Sequence, residues 1–422
     1  MPKRTGPNAP IARREFVSAL ALGTVLGSTT TGAQSPAVHR EANQRWTTAI
    51  PVADFVAPNT GHPAGEALQA AIDTAFEVGF PLIMPRGEWN VDRTLTIENP
   101  DRKRRGFPSI IGSGDTRLMA GAFDGPLMSI RGAPKVPPAG ACFLTGGLLE
   151  RLEFHGNKAR KQNGLDILGW SLGIIRSCSF ENFSGHGVRV YGDKTLDPNP
   201  DWTSSIVRMD GVRSVRNGGW GFFDDNPIGA PTWVFDRCVF DFNGAGGAFV
   251  QSSGNLLLGC SFVSNGYLDE TTPAPGFGVG LRIGDADGSA VNRLRLEIAE
   301  FGENKDAHIL IDRATSFLIE DARFIQGNWI TKKHLVPPVC VQIGSGPKSL
   351  AYNGKISRSV FRNDSAGTVT AFSLRTPAAL DFTIERGYSS DETNGKVQFT
   401  HYDRFGTPEE RFKKRIVIDE RS

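Results

Sequence analysis

The sequence predicts an all-β solenoid whose successive coils stack as parallel strands. The first of two observations is a short repeat that is clearest in the heptapeptide Arg176–Asn182. In each copy two residues of the Cys-x-Phe type stand two positions apart, and an Asn follows soon after. Residues two apart on a strand face the same side of a sheet, so these pairs are expected to point inward. The further copies are Leu152–Asn157, Arg213–Asn217, Cys238–Asn243, Cys260–Asn265, Leu296–Asn304, Ala322–Asn328 and Ser359–Asn363.

The second observation is the spacing of the repeated Asn residues. Four of the intervals are 25, 26, 22 and 24 residues, and the longer ones of 35 and 39 fit one coil plus a loop insertion. A period in the twenties with Gly-rich turns and little helical pattern is typical of stacked parallel strands. A leucine-rich repeat is the alternative, but this sequence supplies Phe, Cys, Val and Gly where that repeat requires Leu. Asn amides at equivalent turns are expected to form a hydrogen-bonded ladder, unless Asn is there only as a common turn residue.

Composition and charge agree with a narrow, turn-rich architecture. The 422 residues include 49 Gly and 26 Pro, and only 39% are hydrophobic. The formal net charge is +2, and residues 1–33 carry +3 of it, so the remainder carries about −1. General nucleic-acid binding requires a basic excess, so no nucleic-acid partner is expected.

The N-terminal region resembles a twin-arginine export signal. Arg13 and Arg14 precede a mild apolar run at 19–27 and a small-residue pattern at 31–33. Residues 1–33 are therefore predicted to be a signal peptide and residues 34–51 a linker, which places the protein in the periplasm or outside the cell. A transmembrane anchor is the alternative, but the apolar run is too short and too rich in Gly and Ala to span a bilayer. No stable membrane anchor is expected.

Three of the five cysteines are predicted to be core residues. Cys178, Cys238 and Cys260 occupy one position of the repeat, so we interpret them as small apolar groups in an interior stack rather than as metal ligands or catalysts. A disulfide between neighbouring coils stays open as an alternative.

One helix is predicted, at residues 66–78, ahead of the coils. Leu68, Ile72 and Phe76 recur every four residues and form one apolar face, and Gly79 ends the pattern. A solenoid must cover its terminal coil, and this helix is expected to do so. The coils are predicted over residues 52–390, followed by a charged C-terminal tail at 391–422.

The first predicted coils resemble the opening of the pectate lyase superfamily. The resemblance rests on Asp54-Phe55, the helix Ala67–Ala75, the segment Ile83–Trp89 and Ile111–Gly114. It implies a right-handed parallel β-helix with a carbohydrate groove along its loops and the adjoining first strand. It departs from the superfamily pattern at residues 58–63, where the usual Gly-Asp-Gly is missing. Members include lyases, hydrolases, epimerases and tailspikes, so the resemblance implies an architecture rather than one chemistry.

Candidate binding residues lie in the variable loops that follow the Gly-rich third strand of each coil. These loops span 191–203, 224–232, 251–254 and 284–289, and variable loops on a rigid stack commonly carry binding residues. Aromatic faces stack on sugar rings, and carboxylates serve as acid, base or Ca²⁺ ligand, so Ca²⁺ is a candidate cofactor. The predicted substrate-binding residues are Asp201, Trp202, Trp233, Asp285 and Asp287.

Four residues are predicted to be catalytic. Asp224 and Asp225 form the clearest acid pair, although an Asp-Asp-Asn-Pro turn that caps backbone N–H groups would explain them as well. Equivalent positions lie about 4.8 Å apart on adjacent coils and about 9.6 Å apart two coils away, so neighbouring coils can supply the carboxyl spacing of either class of glycosidase. His186 lies in a Gly-His-Gly segment, but its order relative to the acids differs from that in polygalacturonases. Arg208 could neutralise a uronate carboxyl in a lyase.

These residues predict an enzyme that degrades a polysaccharide, with an acidic one favoured, by lyase or hydrolase chemistry. The groove is expected beside loops 191–203 and 224–232. The alternative is a non-catalytic carbohydrate-binding or surface β-helix protein.

Overall fold

The chain forms three long parallel sheets that enclose one continuous core. In the computed structural model the described residues are 49–98, 106–132, 144–192, 206–225, 232–269, 272–288, 290–327, 339–346, 348–364, 368–375, 378–380, 383–385, 388–389, 396–402 and 417–419. They belong to a single compact unit, Thr48–Ser422. The predicted signal peptide and residues 34–48 of the predicted linker lie outside the described residues.

Each coil contributes one strand to sheet A, then one to sheet B and one to sheet C, and the pairs between coils are parallel. Sheet A contains β1 Ile50–Pro51, β2 Leu82–Met84, β5 Ile110–Gly112, β9 Leu148–Glu150, β13 Ile174–Arg176, β16 Val207–Asp210, β19 Trp233–Asp236, β22 Leu256–Leu258, β25 Val291–Glu297, β28 Arg313–Glu320, β31 Leu350–Tyr352, β32 Lys355–Ser357, β35 Ala378–Leu380, β36 Thr383–Glu385 and β39 Val417–Asp419. Sheet B contains β3 Gly87–Val91, β6 Thr116–Ala120, β10 Glu153–His155, β14 Ser179–Glu181, β17 Arg213–Val215, β20 Val239–Asp241, β23 Ser261–Val263, β26 Glu300–Gly302, β29 Arg323–Gln326, β33 Val360–Asn363 and β37 Tyr388–Ser389. Sheet C contains β4 Leu95–Glu98, β7 Met128–Arg131, β11 Leu165–Leu168, β15 Val188–Tyr191, β18 Trp220–Asp225, β21 Gly246–Val250, β24 Val279–Ile283, β27 Ala307–Ile311, β30 Val339–Ile343, β34 Thr368–Leu374 and β38 Lys396–Tyr402. A small parallel pair joins β8 Leu144–Thr145 to β12 Trp170–Ser171.

This topology is a right-handed parallel β-helix, and the predicted fold class is confirmed. The inward direction of the repeated pairs is confirmed as well. Phe side chains of sheet B stack along the core with ring centroids 4.7–5.5 Å apart. The fully buried members of this column are Phe154, Phe180, Phe240, Phe262, Phe301 and Phe324.

The repeated cysteines lie beside this column as buried free thiols, as the sequence predicted. Burial raises the pKa of Cys178 to about 12, so its thiol stays protonated and unreactive. Cys142 lies outside the described residues.

The predicted Asn ladder lies at the corner between sheets B and C. Asn217, Asn243, Asn265 and Asn304 are buried, and the side-chain Nδ2 of each of the first three donates to the Oδ1 of the next Asn at 2.9–3.2 Å. The same oxygens accept the backbone N–H of the preceding Asn at 3.0–3.1 Å. The ladder therefore satisfies both side-chain and backbone groups at the turn.

The ladder also explains why the third strand of each coil is rich in Gly. A Cβ atom placed on Gly247 would lie 2.4 Å from the carbonyl oxygen of Gly280 and 3.0 Å from Nδ2 of Asn265. Equivalent crowding occurs at Gly221. The glycines therefore leave room for the amides of the ladder.

Helix α1 spans Gly65–Val78 and ends at Gly79, which has the left-handed φ of 75°. It buries Leu68 and Ile72. The side chain of Gln69 accepts from the backbone N–H of Thr96 at 2.7 Å and donates to its carbonyl oxygen at 2.8 Å. Thr96 belongs to the terminal strand of sheet C, so the helix supplies partners to an otherwise open strand edge.

The coils continue beyond the predicted boundary at residue 390. Strand Lys396–Tyr402 pairs with Thr368–Leu374 in sheet C, and Val417–Asp419 pairs with Thr383–Glu385 in sheet A. The region predicted as a tail therefore contains strands of the solenoid, which its surrounding charge concealed in the sequence. Among the described residues there is no helix of the length and apolarity needed to cross a membrane.

Candidate functional site

The outer face of sheet C carries a cluster of polar and aromatic side chains. The register places Asp166, Arg189, Phe223, Phe249 and Arg282 opposite one another on five consecutive coils. Strands β15 and β18 end where the predicted groove loops begin. We call the group formed by Asp166, His186, Arg189, Tyr191 and Asp225 the Arg189 cluster.

Arg189 links two carboxylates. Its Nη2 lies 2.6 Å from Oδ2 of Asp225, and its Nη1 lies 4.0 Å from Oδ2 of Asp166. The guanidinium carbon lies 5.1 Å from the ring centroid of Tyr191. Its Nε is buried and has no hydrogen-bond partner within the described part of the chain. Because guanidinium groups bind carboxylates by paired donors, this side chain is suited to an anionic ligand.

Asp166 is a buried carboxyl group of the cluster whose pKa is raised towards neutral pH. Only 7% of the surface of Asp166 is exposed to solvent. Burial raises the pKa of Asp166 to about 6, while Arg189 and the Nδ2 of Asn163, which donates at 2.9 Å, oppose the rise. A carboxyl group that titrates near neutral pH can act as a general acid or base.

His186 is part of the cluster, but its geometry differs from that of a catalytic base. Its Nδ1 accepts the backbone N–H of Trp220 at 3.0 Å, and its ring stacks on Phe223 with centroids 4.3 Å apart. Burial and, secondarily, Arg189 lower the pKa of His186 to about 4, so the ring is neutral at pH 7 and carries its proton on Nε2. Since the basic nitrogen is already used, the structure corrects the predicted catalytic role to one of positioning β18.

The acid pair predicted in the sequence is divided between two faces of one strand. Asp224 faces the interior and is 0% exposed, and its Oδ2 accepts the N–H groups of Gln251 at 3.1 Å and Ser252 at 2.8 Å. Asp225 faces outward to Arg189. Successive residues of a strand point to opposite faces, so the two carboxylates cannot share a substrate. The structure therefore corrects Asp224 from a predicted catalyst to a group that stabilises the turn of the next coil.

Trp233 is also placed differently from the prediction. Its side chain is fully buried, with its ring centroid 5.0 Å from that of Phe222 in an edge-to-face arrangement. It is therefore a core residue, and the predicted role as a sugar-stacking platform is wrong for the described structure. Asp201 and Trp202 lie outside the described residues.

Arg208 lies on the outer face of sheet A, away from the Arg189 cluster. Its Nη2 is 2.7 Å from Oδ2 of Asp236 and 3.9 Å from Oδ2 of Asp210, which also pairs with Arg237 at 2.8 Å. The structure thus does not bring Arg208 together with His186 or Asp225. On this face of sheet A, the guanidinium groups of Arg208 and Arg237 are neutralised by the carboxylates of Asp236 and Asp210.

Asp285, one of the two substrate-binding aspartates predicted in loop 284–289, lies near a second arginine, Arg282. Arg282 pairs with the buried Asp312 at 2.7 Å and approaches Asp285 at 3.7 Å, and its guanidinium carbon lies 4.8 Å from the ring centroid of Phe249. Asp287 is exposed and pairs with Lys348 at 2.6 Å. Asp285 therefore belongs to the same face as the Arg189 cluster, whereas Asp287 forms a surface ion pair.

Within the described residues, no group of three or more His, Cys, Asp or Glu side chains lies close enough together to hold a metal ion.

The residues of the Arg189 cluster that the sequence analysis missed are Asp166, Arg189 and Tyr191. Their signal is alternation, because each occupies an outward position on a strand whose other residues are apolar.

Comparison with known proteins identifies relatives by fold only. No family model matches the chain, and no curated protein matches its sequence. The A-module of mannuronan C-5 epimerase AlgE6 from Azotobacter vinelandii superposes with a TM-score of 0.54 at 15% identity, covering 88% of this chain and 100% of that one.

Two viral proteins are also similar. ORF18 of Geobacillus virus E2 gives a TM-score of 0.52 at 15% identity over 89% of this chain, and this chain spans only 65% of that one. The tailspike of Escherichia coli bacteriophage HK620, solved in complex with a pentasaccharide, gives 0.51 at 12% identity, covering 89% of this chain and 67% of that one. At these identities the similarity establishes the shared fold, a right-handed parallel β-helix.

Proposed function

We propose that this chain is an exported member of the pectate lyase superfamily that binds an acidic polysaccharide and degrades it by lyase or hydrolase chemistry. The observation that carries the proposal is the placement of Arg189 between Asp166 and Asp225, at the border of the predicted groove loops. Sugar-directed proteins of the same fold, an epimerase module and a pentasaccharide-bound tailspike, support it.

The Arg189 cluster contains the groups that a lyase requires. Beta-elimination needs a positive centre that neutralises the uronate carboxyl and a base that removes the neighbouring proton. Arg189 supplies the first. Asp166, whose pKa of about 6 leaves it mostly ionised at pH 7, supplies the second.

The same cluster can also serve hydrolysis. Asp166 and Asp225 contact opposite nitrogens of one guanidinium group, which limits the separation of their carboxyl groups to roughly 9 Å. Inverting glycosidases hold their two carboxyl groups about 6.5–9.5 Å apart. Retaining glycosidases hold theirs about 5–5.5 Å apart, so this upper limit admits either class of hydrolase.

An extended anionic chain would meet a second cation on this face. Arg282 lies three coils beyond Arg189 in the same row, or about 14 Å at the usual spacing between strands. Phe223 and Phe249 occupy the row between them. This arrangement favours a polymer that runs along the axis of the solenoid.

A panel of acidic and neutral polysaccharides tests the proposal. Absorbance of unsaturated ends reports lyase action, reducing ends report hydrolysis, and gel retardation reports binding. Arg189→Gln is expected to weaken binding of a uronate polymer by at least about tenfold, the effect of losing one charge-assisted contact. Arg213→Gln is the matched control, because Arg213 also pairs with a carboxylate, Glu181 at 2.9 Å, but on sheet B. Equal binding by both variants would refute the assignment.

Catalysis is tested separately from binding. Asp166→Asn is expected to retain binding and to lose formation of new chain ends, because the amide cannot exchange the proton. Retained cleavage by this variant would contradict the role given to Asp166.

The second candidate function is non-catalytic carbohydrate binding. It is favoured by the mutual neutralisation of Arg208, Asp210 and Asp236 and by the occupied Nδ1 of His186. Under this alternative, gel retardation would occur without new chain ends from any polysaccharide of the panel.

Export is the remaining part of the proposal, and it rests on Arg13 and Arg14 outside the described residues. Replacement of both by Lys is expected to keep the protein in the cytoplasm, because twin-arginine signals require the paired guanidinium groups. Fractionation of cells expressing the two forms measures this, and identical periplasmic or secreted fractions would contradict it.

A further inference from the structure

Asn163 connects Asp166, the base of the proposed reaction, to the next coil of the solenoid. It lies at the corner between sheets B and C, two residues before strand β11. Its Oδ1 accepts the backbone N–H of His186 at 2.8 Å, and its Nδ2 donates to Oδ1 of Asp166 at 2.9 Å. One side-chain amide therefore holds the carboxyl group of Asp166 and a backbone group of the neighbouring coil at the same time.

The orientation of this amide follows from the chemistry of its partners. A backbone N–H can only donate, so the atom of Asn163 that meets His186 must be the oxygen, and the NH₂ group must turn towards Asp166. The space for that oxygen depends on Gly185, where a Cβ atom would lie 2.2 Å from Oδ1 of Asn163. His186 repeats the arrangement one coil further on, because its Nδ1 accepts the backbone N–H of Trp220 at 3.0 Å.

The fixed amide distinguishes the two oxygen atoms of Asp166. Oδ1 accepts from Nδ2 of Asn163, whereas Oδ2 lies 4.0 Å from Nη1 of Arg189, the guanidinium group that the proposed function assigns to the uronate carboxyl. A hydrogen bond to the ionised form of a carboxyl group favours that form, so Asn163 opposes the rise that burial causes in the pKa of Asp166. Oδ2 is therefore the oxygen that faces the substrate side and exchanges a proton.

The other groups around Asp166 come from the coils on either side. In the register, Arg189 of β15 and the neutral Ser129 of β7 lie opposite it. The remaining titratable or charged groups on the packed strands are His186 before β15, Asp225 of β18 and Arg131 of β7, which pairs with Glu98 at 3.3 Å. Burial lowers the pKa of His186 to about 4, so its ring stays neutral in the range where Asp166 titrates. Replacement of Asn163 removes no charge from these surroundings.

We propose that Asn163 is a positioning residue of the site, which orients Asp166 and reserves its Oδ2 for proton transfer. The inference rests on the proposed function. In an elimination, Oδ2 takes the proton from the carbon beside the uronate carboxyl, and the electron pair of that C–H bond forms the new C=C bond. The C–O bond to the next sugar breaks with its electron pair, and the leaving oxygen takes a proton from water.

The pH profile of cleavage by Asn163→Ala tests the inference. Loss of a hydrogen bond to the ionised carboxyl group is expected to move the acidic limb of kcat/KM up by about one pH unit. Because the pKa of Asp166 is about 6 in the wild type, the rate should fall about fivefold at pH 6 and change little at pH 8. Asn255→Ala is the matched control and should keep the wild-type profile. Asn255 also accepts a backbone N–H from another coil, that of Trp233 at 3.0 Å, but donates to the carbonyl oxygen of Ser252 rather than to a carboxylate.

Titration of Asp166 itself separates this inference from the proposed function. In protein labelled with ¹³C at the aspartate carboxyl carbons, the NMR signal that Asp166→Asn lacks identifies Asp166. Its midpoint is expected to rise by about one pH unit in Asn163→Ala. Gly185→Ala, which keeps Asn163 but displaces its amide, should raise the midpoint as well and provides a second variant if the first does not fold. Circular dichroism verifies the fold of each variant.

The outcomes for the inference and for the proposed function are distinct. An unchanged Asp166 midpoint in the folded variants, or a cleavage profile of Asn163→Ala that coincides with that of the wild type, overturns the role of Asn163. Absence of cleavage by the wild-type protein refutes the catalytic part of the proposed function, while a raised midpoint would still support the control of Asp166 by Asn163.

Discussion

The neighbouring carboxylates Asp224 and Asp225 are predicted to differ sharply when each is replaced by Ala. Asp224 accepts two N–H groups of the next coil from a fully buried position. Its truncation leaves both donors without a partner, at about 1–3 kcal/mol each, so we expect a loss of about 3 kcal/mol in the free energy of unfolding. Asp225 and Arg189 have side chains that are 40% and 32% exposed, and such ion pairs contribute about 0–1 kcal/mol.

Equilibrium unfolding in urea, followed by circular dichroism and Trp fluorescence, measures both variants. Asp224→Ala should move the midpoint to clearly lower urea concentration, while Asp225→Ala should remain close to the wild type. Asp224→Asn provides a control, since its amide oxygen can still accept the two N–H groups and should retain most of the stability. A loss for Asp225→Ala equal to that for Asp224→Ala would refute the assignment of the two faces.

Three further changes probe the scaffold and the histidine. The pKa of His186 is about 4 in the folded protein and about 6.5 unfolded, so stability is full above pH 6.5 and falls by up to about 3 kcal/mol as the pH drops to 4. His186→Gln should lose less stability over that window in urea titrations at pH 7 and 4, and an unchanged pH dependence would contradict this. Gly247→Ala should destabilise by about 2–4 kcal/mol because its Cβ would lie 2.4 Å from a backbone carbonyl, whereas Gly346→Ala, with nothing within 4 Å, should have little effect on the urea midpoint. Asn243→Ala should lower the free energy of unfolding by about 3 kcal/mol, since two buried backbone groups lose their partners, and a loss below about 1 kcal/mol would show that the ladder is dispensable.

Much of the architecture could be read from local sequence pattern. The period of the Cys-x-Phe and Asn repeat predicted the parallel coils, and the four-residue apolar spacing predicted the helix to within one residue of Gly65–Val78. These features depend on neighbours along the chain, or on the same position recurring in every coil. The Asn ladder followed from that recurrence.

The candidate site was harder to predict from the sequence, because it depends on which face of the sheet each side chain occupies. The sequence placed Asp224 at the start of a loop, but β18 continues through Asp225, so strict alternation sends Asp224 inward. Trp233 begins a strand of sheet A and turns into the core for the same reason. Only His186 and Asp225, of the four predicted catalysts, lie in one cluster.

By itself the sequence determined the repeat, the inward stack of Phe and Cys side chains and the Gly-rich strands, because these are periodic along the chain. Only the tertiary structure decided that Arg189 lies between Asp166 and Asp225. The physical reason is that coil length varies with the loop insertions. Residues that meet across coils are therefore separated by 23 or 36 positions, and only hydrogen-bond register between strands defines those partners.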